Sequence, residues 1–251
     1  MIEEMACDLE AARITSLPAD SFYISDFVSE DEEAWLLQKV ASAPQPRWTK
    51  LSHRRLQTWP SPLTKSNTLL GSPLPTWLVS PVIEPRLRKL GIFNDAPHGA
   101  PNHVLVNEYH PGQGIMPHED GAAYYPLVAT VSLGAPIVLD VYTKTSRDER
   151  DDEKTSRDTD HTRKPQYRIL QERRSLLITR ADLYTDYLHG IAETTRDDDL
   201  SADTICNWDL LREKKLYHAG WYERETRTSL TYRDVLKVAK MGNSLKFLGG
   251  R

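Results

Sequence analysis

A strand, a tight turn and a second short strand occupy residues 103–121, and this segment constrains the fold more than any other part of the chain. The strand over residues 103–109 is mostly apolar, and a proline and two glycines at 111–114 supply the turn. Residues two positions apart in an extended chain point to the same face. His118 and Asp120 therefore present an imidazole and a carboxylate to one point in space.

A metal site needs a further ligand beside this pair, and two histidines compete for the role. His189 follows an apolar segment and precedes Gly190, a setting that suits a strand next to the pair. His218 lies in a polar loop, where its position is less constrained. Two imidazoles and one carboxylate on one face of a metal leave the opposite positions open, which is the ligand set of non-haem Fe(II) oxygenases.

Two arginines near the end of the chain suit a ligand with two negative ends. Arg227 and Arg233 are six residues apart and therefore share a strand face. Their backbones lie about 20 Å apart in extended chain, and inward-leaning side chains shorten that gap to the length of a small dicarboxylate. The guanidinium fork binds carboxylates bidentately. The alternative is two surface arginines, which the neighbouring Leu230 and Tyr232 disfavour.

Many short apolar strands and few helices predict an α+β, mainly β fold, namely a double-stranded β-helix (jelly roll) with helices on one outer face. The predicted strands cover residues 22–28, 103–109, 127–133, 137–142, 167–171, 174–179 and 227–233. A capping box at Ser29 predicts a helix that carries Trp35, Leu36 and Val40 inward and ends before Pro44. A second helix is predicted from residue 75 to about residue 90.

The rest of the chain divides into one domain and its appendages. Residues 1–20 are predicted to be a loosely ordered acidic leader, and residues 21–251 a single domain. Prolines interrupt residues 44–75, which we interpret as a lid of short strands and loops. Residues 144–165 hold seven bases and seven acids without a core pattern, which predicts a flexible inserted loop. Residues 193–223 are predicted to be a second polar loop.

Composition limits the class of protein and of partner. No run of 18 apolar residues exists, so no membrane span is predicted, and two cysteines exclude a disulfide framework and favour a reducing compartment. Met1–Glu10 has four acids and no base, the opposite of a secretory signal peptide. Residues 47–55 have four bases and no acid, and residues 212–251 have ten bases against four acids. Such patches suit a polyanion or are simply solvated surface.

Together these motifs resemble the AlkB family of Fe(II)- and 2-oxoglutarate-dependent dioxygenases, over roughly residues 47–240. In family order the shared motifs are Asn107-x-Tyr109, His118-x-Asp120, His189 and Arg227-x5-Arg233. Within that family, residues 107–125 are most similar to the branch of the sixth eukaryotic homologue. The resemblance is carried by several motifs at once, which makes it specific.

The resemblance implies a role for each motif. Iron would be held by His118, Asp120 and His189. The C1 carboxylate of 2-oxoglutarate would be supported by Asn107 and Arg233. The C5 carboxylate would be bound by Tyr109 and Arg227, with Ser229 beside it. The implied reaction uses O2, converts 2-oxoglutarate to succinate and CO2, and releases an N-methyl group as formaldehyde.

The resemblance also implies a substrate, methylated RNA or DNA, and a monomer in the cytoplasm and nucleus. A nucleotide-recognition lid would stack on bases and contact phosphates through Trp48, Arg54, Arg55 and Trp59. One departure concerns base preference: DNA-repair members carry an acid two positions after the metal aspartate, and Ala122 stands there in this chain. Two alternatives stay open, an interaction module for nucleic acid or protein with little turnover and a protein hydroxylase on the same fold.

Overall fold

Strands dominate the computed structural model, which describes residues 9–17, 20–145 and 163–240. In chain order the first strands are β1 (Ser21–Ile24), β2 (Thr49–Leu51), β3 (Arg54–Trp59), β4 (Thr68–Gly71), β5 (His103–Tyr109), β6 (Ile115–His118), β7 (Leu127–Leu133) and β8 (Ile137–Thr143). The remaining strands are β9 (Tyr167–Gln171), β10 (Leu176–Arg180), β11 (Tyr187–Ile191), β12 (Arg196–Asp198), β13 (Trp221–Glu223), β14 (Arg227–Arg233) and β15 (Lys237–Lys240).

Two antiparallel sheets form the body of the fold. The larger sheet has the strand order β1-β10-β7-β14-β5-β3-β2, and the smaller has the order β6-β11-β8-β9. Two ribbons complete the topology, antiparallel β12–β13 and parallel β15–β4. The mainly β jelly roll predicted from the sequence is confirmed.

Alternation along the central strands of the larger sheet separates the core from the site. Val104 and Val106 of β5, like Leu230 and Tyr232 of β14, are fully buried in the main apolar cluster. The residues between them line a cavity on the opposite face of the sheet, between the two sheets. The site is therefore built from the odd-numbered residues of β5 and β14, which include polar and charged side chains.

Helix α1 (Glu30–Ala41) covers the apolar face of the larger sheet. Ser29 caps its N-terminus through a capping box with Glu32, as predicted. Leu36 and Val40 are buried in the main cluster. Trp35 was expected to point inward, but its side chain is 37% exposed and Lys39 lies over its ring. Trp35 therefore lies on the flank of the helix that faces solvent.

The single helix predicted over residues 75–90 is wrong. The segment is divided into Thr76–Leu78, Val79–Leu87 and Arg88–Leu90, and both Ser80 and Glu84 have non-helical backbone angles. Each of these two residues precedes a proline, whose ring disfavours helical geometry at the residue before it. The apolar periodicity was nevertheless informative, because Leu78, Val82, Ile83 and Leu87 are buried.

Residues 193–223 are more ordered than the predicted polar loop. They contain β12, β13 and the 3₁₀ turns Trp208–Leu210 and Lys214–Tyr217. A second apolar cluster buries Leu200, Ile205, Leu211 and Tyr217 from this segment. The apolar residues of this segment follow neither helical nor strand periodicity, so no periodic signal marked them in the sequence.

Other predicted boundaries also shift. β1 ends at Ile24 instead of residue 28, and Asp26 takes a positive φ of 49° just beyond it. Residues 9–17 of the predicted leader pack on the body of the fold through Ala12, Ile14 and Leu17, which are buried. Most of the predicted inserted loop, residues 146–162, lies outside the described residues. No helix in the described ranges is long and apolar enough to span a membrane.

The predicted lid is partly an extension of the larger sheet. Strands β2 and β3 form a hairpin at its edge, where β3 pairs with β5. Farther along the segment, β4 pairs with β15 away from the larger sheet. Residues 44–75 therefore link the edge of the larger sheet to a separate ribbon.

Candidate active site

The two histidines and the aspartate predicted as metal ligands lie together between the sheets. His118 of β6 and His189 of β11 are direct cross-strand partners, and their ring centroids are 4.4 Å apart. Asp120 follows β6 and completes the cluster, in which one ligand atom from each residue lies within 4.8 Å of the others. His218, the rival candidate, is an exposed residue after a 3₁₀ turn and does not join them.

Two glycines allow β6 and β11 to approach closely enough for this arrangement. A Cβ atom at Gly114 would lie 2.2 Å from the carbonyl oxygen of Ile191. A Cβ atom at Gly190 would lie 3.0 Å from the carbonyl oxygen of Ile115. Any side chain at Gly114 would force the strands apart and move His118 away from His189.

The protonation of both histidines suits metal binding. His118 Nδ1 lies 2.9 Å from the carbonyl oxygen of Met116, and since a carbonyl only accepts, Nδ1 donates and Nε2 keeps its lone pair. Burial lowers the pKa of His118, and burial lowers the pKa of His189 to about 4. Both imidazoles are therefore neutral at pH 7, as metal ligands must be.

These pKa shifts predict that the metal-free protein loses stability in acid. The unfolded chain binds a proton at His189 near pH 6.5, whereas the folded chain resists protonation down to about pH 4. Stability is therefore fully present above pH 6.5 and is lost as pH falls toward 4, by about 3 kcal/mol for this residue. Urea unfolding at pH 7 and pH 4 should show a smaller loss in His189→Gln than in the parent. An identical loss of stability in both proteins would contradict the assignment of this pH dependence to His189.

The cavity around the triad measures about 260 Å³ and carries three arginines on its wall. Arg233 is ion-paired to Asp120, with 2.5 Å between Nη2 and Oδ1. Arg54 donates from Nε to Asn107 Oδ1 at 3.3 Å. Tyr109, which is 4% exposed, lies below Arg227, whose guanidinium carbon is 5.9 Å from the ring centroid. The five co-substrate residues predicted from the sequence all line this cavity: Asn107, Tyr109, Arg227, Ser229 and Arg233.

Arg227 is a buried cation without an acidic partner among the described residues. Its side chain is fully buried, and its Nη2 donates to Ser132 Oγ at 2.7 Å and to Gln171 Oε1 at 3.2 Å. Its Nε has no hydrogen-bond partner within the described part of the chain. Burial lowers the pKa of Arg227 to about 10. An unpaired buried guanidinium is costly, so this position is suited to an anionic group that enters the cavity.

The donor set fits both groups that the sequence motifs implied. Two neutral imidazoles and one carboxylate converge without a fourth protein ligand among the described residues, which leaves room for exchangeable ligands on iron. On the wall of the same cavity, Arg227 supplies a buried guanidinium that has no acidic partner among the described residues. Ser132 and Gln171, which orient this fork, were missed by the sequence analysis because no motif connects them to Arg227.

Three of the four predicted lid residues make contacts within the protein. Trp48 is only 9% exposed, and the guanidinium of Arg55 lies 4.0 Å from its ring centroid. Arg55 in turn forms a two-pronged ion pair with Glu108, at 2.6 and 3.0 Å. Trp59 packs edge-on against Trp77 at 5.7 Å. The Arg55 guanidinium lies over one face of the Trp48 ring, and the ring is nearly buried, so stacking of Trp48 on a base requires these side chains to move.

Arg54 is the lid residue that lines the cavity. It begins β3 at the end of the hairpin that also holds His53, whose Nδ1 lies 3.0 Å from Glu193 Oε1 beyond β11. The hairpin therefore contacts the larger sheet and the segment that follows β11. Arg54 and Arg55 were predicted to act together, but alternation along β3 gives them opposite surroundings.

Comparisons with known proteins agree with this geometry. Residues 72–233 match the family described as the 2OG-Fe(II) oxygenase superfamily. A Danio rerio protein named probable RNA/DNA demethylase ALKBH6 is 39% identical over 233 residues, covering 93% of each chain. The uncharacterized protein L905 of Acanthamoeba polyphaga mimivirus is 27% identical over 217 residues, covering 85% of this chain and 84% of that protein.

A solved structure shares the fold. The structure of OsALKBH1 superimposes with a TM-score of 0.52 at 14% identity and covers 87% of this chain and 99% of that chain. The family match spans well over half of the chain, and the zebrafish relative extends along nearly all of it. The protein thus belongs to the AlkB family within the 2OG-Fe(II) oxygenase superfamily, and it is a dioxygenase that uses Fe(II) and 2-oxoglutarate.

Proposed function

We propose that this dioxygenase is an oxidative demethylase of methylated RNA or DNA. The observation that carries the proposal is the cavity in which the triad, the unpaired Arg227 and the lid residue Arg54 meet. A cationic lid residue at the wall of an oxidising site suits a substrate with a phosphate backbone. The name of the zebrafish relative, probable RNA/DNA demethylase, supports the same substrate class.

Each side chain of the site has a proposed role. His118, Asp120 and His189 hold Fe(II). Arg227 binds the C5 carboxylate of 2-oxoglutarate with its fork, beside Tyr109 and Ser229, and Asn107 and Arg233 support the C1 carboxylate. When bound, Fe(II) and 2-oxoglutarate supply the oxidation of the substrate's methyl group by O2, with conversion of 2-oxoglutarate to succinate and CO2.

The other side chains of the cavity position the reacting groups and exclude water. The apolar wall of the cavity includes Leu105, Val128, Leu139 and Val141, which keep solvent from the reacting groups. Tyr184 donates its hydroxyl to the carbonyl oxygen of Gly121 at 2.8 Å and so holds the backbone just after Asp120. Oxidation gives an N-hydroxymethyl group, whose C–N bond then breaks. The hydroxymethyl carbon leaves as formaldehyde, and the nitrogen regains a proton in place of the one that the hydroxyl group loses.

The test of this proposal is product release from methylated oligonucleotides. Purified protein with Fe(II), 2-oxoglutarate and O2 should release succinate and formaldehyde in equal amounts from at least one member of a panel of methylated RNA and DNA oligonucleotides. Asp120→Ala protein is the matched control and should release neither. Succinate without formaldehyde, seen with a protein substrate instead, would favour a hydroxylase. Tight oligonucleotide binding without either product would favour an interaction module.

Substitutions of the two adjacent lid arginines should have different effects, one mainly on substrate binding and the other mainly on stability. Arg54→Ala should leave the free energy of unfolding within about 0.5 kcal/mol of the parent, because Arg54 has no acidic partner among the described residues. It should weaken binding of a single-stranded oligonucleotide and reduce the salt slope of that affinity by about 1.

Arg55→Ala is the control for this prediction. It removes the two-pronged partner of Glu108, which is 7% exposed, and leaves that carboxylate beside His110 Nε2 at 3.3 Å. The free energy of unfolding should fall by about 1–3 kcal/mol. Urea unfolding and fluorescence anisotropy measure the two effects. A salt slope unchanged in Arg54→Ala would remove Arg54 from the nucleic-acid interface.

A further inference from the structure

His103 is a buried histidine whose polar atoms are unmatched. It is 2% exposed, and neither ring nitrogen has a hydrogen-bond partner of normal geometry among the described residues. Burial lowers its pKa to about 4, with the charge of Arg233 adding to the effect, so the ring is neutral at pH 7. Buried polar groups are nearly always paired, and an unpaired one costs stability. We therefore looked for a ligand that could form hydrogen bonds with this buried imidazole.

Its position connects it to the active site. His103 begins β5, and its side chain follows Leu105 and Asn107 of the cavity wall in the alternation of that strand. Across the sheet it is paired directly with Arg233, which contacts Asp120. His103 therefore lies on the cavity face of the larger sheet, directly across from the arginine that touches the metal aspartate.

Two further polar or aromatic groups surround this ring. Ser61, in the lid segment after β3, has its backbone beside the imidazole, and its hydroxyl is also buried without a partner in the described ranges. The Tyr124 ring centroid lies 5.8 Å from that of His103, and Arg233 lies over the Tyr124 ring at 4.9 Å. Three polar atoms without a hydrogen bond of normal geometry and an aromatic ring thus converge from three separate segments.

The hydrogen-bonding capacity of the cluster is that of a base-reading site. A neutral imidazole offers one N–H donor and one acceptor nitrogen, and a serine hydroxyl can do either. A nucleobase presents donors and acceptors side by side on one edge, and proteins read unstacked bases through such edges together with aromatic rings.

The charge around the cavity selects among methylated bases. Its acids in the described chain, Glu119 and Asp120, are paired with Lys144 and Arg233. Arg54 and Arg227 have no acidic partner there. Binding of Fe(II) and dianionic 2-oxoglutarate adds equal amounts of positive and negative charge. The net positive charge that the unpaired arginines give the cavity wall therefore remains. With Arg227 bound to 2-oxoglutarate and Arg233 to Asp120, a cationic base would meet the guanidinium of Arg54 and no free carboxylate on the described cavity wall.

We propose that His103 and Ser61, with Tyr124 beside them, form a subsite that reads the hydrogen-bonding edge of an uncharged methylated base. This rests on the proposed action on nucleic acid. The lid segment that carries Ser61 covers the subsite in the structure, so base entry displaces that segment and exchanges unmatched polar atoms for paired ones.

The first experiment measures affinity without turnover. Anaerobic protein with Fe(II) and 2-oxoglutarate is titrated into a labelled single-stranded RNA that carries one N6-methyladenine, and anisotropy is recorded. His103→Leu and Ser61→Ala should each weaken binding about three- to tenfold. The affinity for 2-oxoglutarate should not change. The melting temperature of His103→Leu should equal or exceed that of the parent, because an apolar group replaces an unsatisfied one.

His98→Leu is the matched control. His98 Nδ1 lies 2.6 Å from Asp234 Oδ1, and Asp234 is fully buried, so this variant should lose stability and keep its RNA affinity. Unchanged RNA affinity in His103→Leu would overturn the proposal. So would an equal loss of affinity in His98→Leu, because the effect would then be a general consequence of substitution near β14.

The second experiment tests charge. The same RNA with 1-methyladenine, an isomer that is cationic at neutral pH and lacks the ring acceptor, should bind about tenfold more weakly. Equal or tighter binding would overturn the assignment to an uncharged base. Failure of the parent to release formaldehyde from any methylated oligonucleotide would instead refute the proposed function. A parent that turns over while His103→Leu binds RNA normally would refute the subsite alone.

Discussion

His189→Ala should abolish stoichiometric iron binding, and this is the largest effect we expect from a single substitution. The residue supplies one of only three converging protein ligands in the described chain, and its ring faces His118 at a centroid distance of 4.4 Å. Removal of a ligand from such a set leaves one imidazole and one carboxylate, which hold Fe(II) weakly. Metal analysis after anaerobic reconstitution and desalting should find little iron in the variant, and succinate release should disappear with it.

Controls separate metal loss from misfolding. His218→Ala should retain the iron content of the parent, because the exposed His218 lies outside the cluster. His189→Ala should remain folded at pH 7, since a neutral, half-buried ring is exchanged for a smaller apolar group at the wall of an existing cavity. Iron retained in His189→Ala and lost in His218→Ala would reassign the ligand.

Arg227→Met should weaken 2-oxoglutarate binding at least about thirtyfold while costing the ligand-free protein little stability. The guanidinium is fully buried without an acidic partner in the described chain, so its removal relieves a desolvation cost. Ser132 Oγ and Gln171 Oε1 remain 3.2 Å apart and bonded to each other. Removing a charge-assisted, bidentate ion pair from a buried site costs about 2–5 kcal/mol, which weakens affinity roughly thirty- to several-thousandfold. Anaerobic calorimetry measures this change.

A second buried arginine provides a matched comparison. Arg224 lies three residues earlier and is ion-paired with buried Asp197, with Nη2 and Oδ1 2.6 Å apart. Arg224→Met leaves that carboxylate buried and unpaired, and should lower the free energy of unfolding by about 3–5 kcal/mol. Arg227→Lys should keep the charge but weaken 2-oxoglutarate binding, because an ammonium cannot reproduce the fork. Normal 2-oxoglutarate affinity in both Arg227 variants would contradict the assignment.

Much of the site could be predicted because its geometry is local to single strands. Alternation gave Arg227 and Arg233 a common face of one strand, and Asn107 and Tyr109 a common face of another. The structure has all four on the cavity wall. The capping box at Ser29 likewise depends on four consecutive residues, and it forms as predicted. In each case, backbone geometry over a few residues determines the relation between side chains.

Predictions that depended on packing between distant segments were less accurate. The basic and aromatic composition of residues 47–59 suggested a uniform substrate surface, but Arg55 pairs with Glu108 and covers Trp48, which leaves Arg54 at the cavity. Composition gives the types of side chain in a segment, and the neighbouring strand decides which of them are already partnered.

The amino-acid sequence by itself determined the strand faces, the candidate ligands and the family to which they belong. Only the tertiary structure decided that His189 rather than His218 joins the pair, and that the buried His103 and Arg227 keep unpaired ring or guanidinium nitrogens within the described chain. The physical reason is that side-chain alternation is a property of one strand, whereas register, burial and pairing depend on which segments the fold brings together across the sheets.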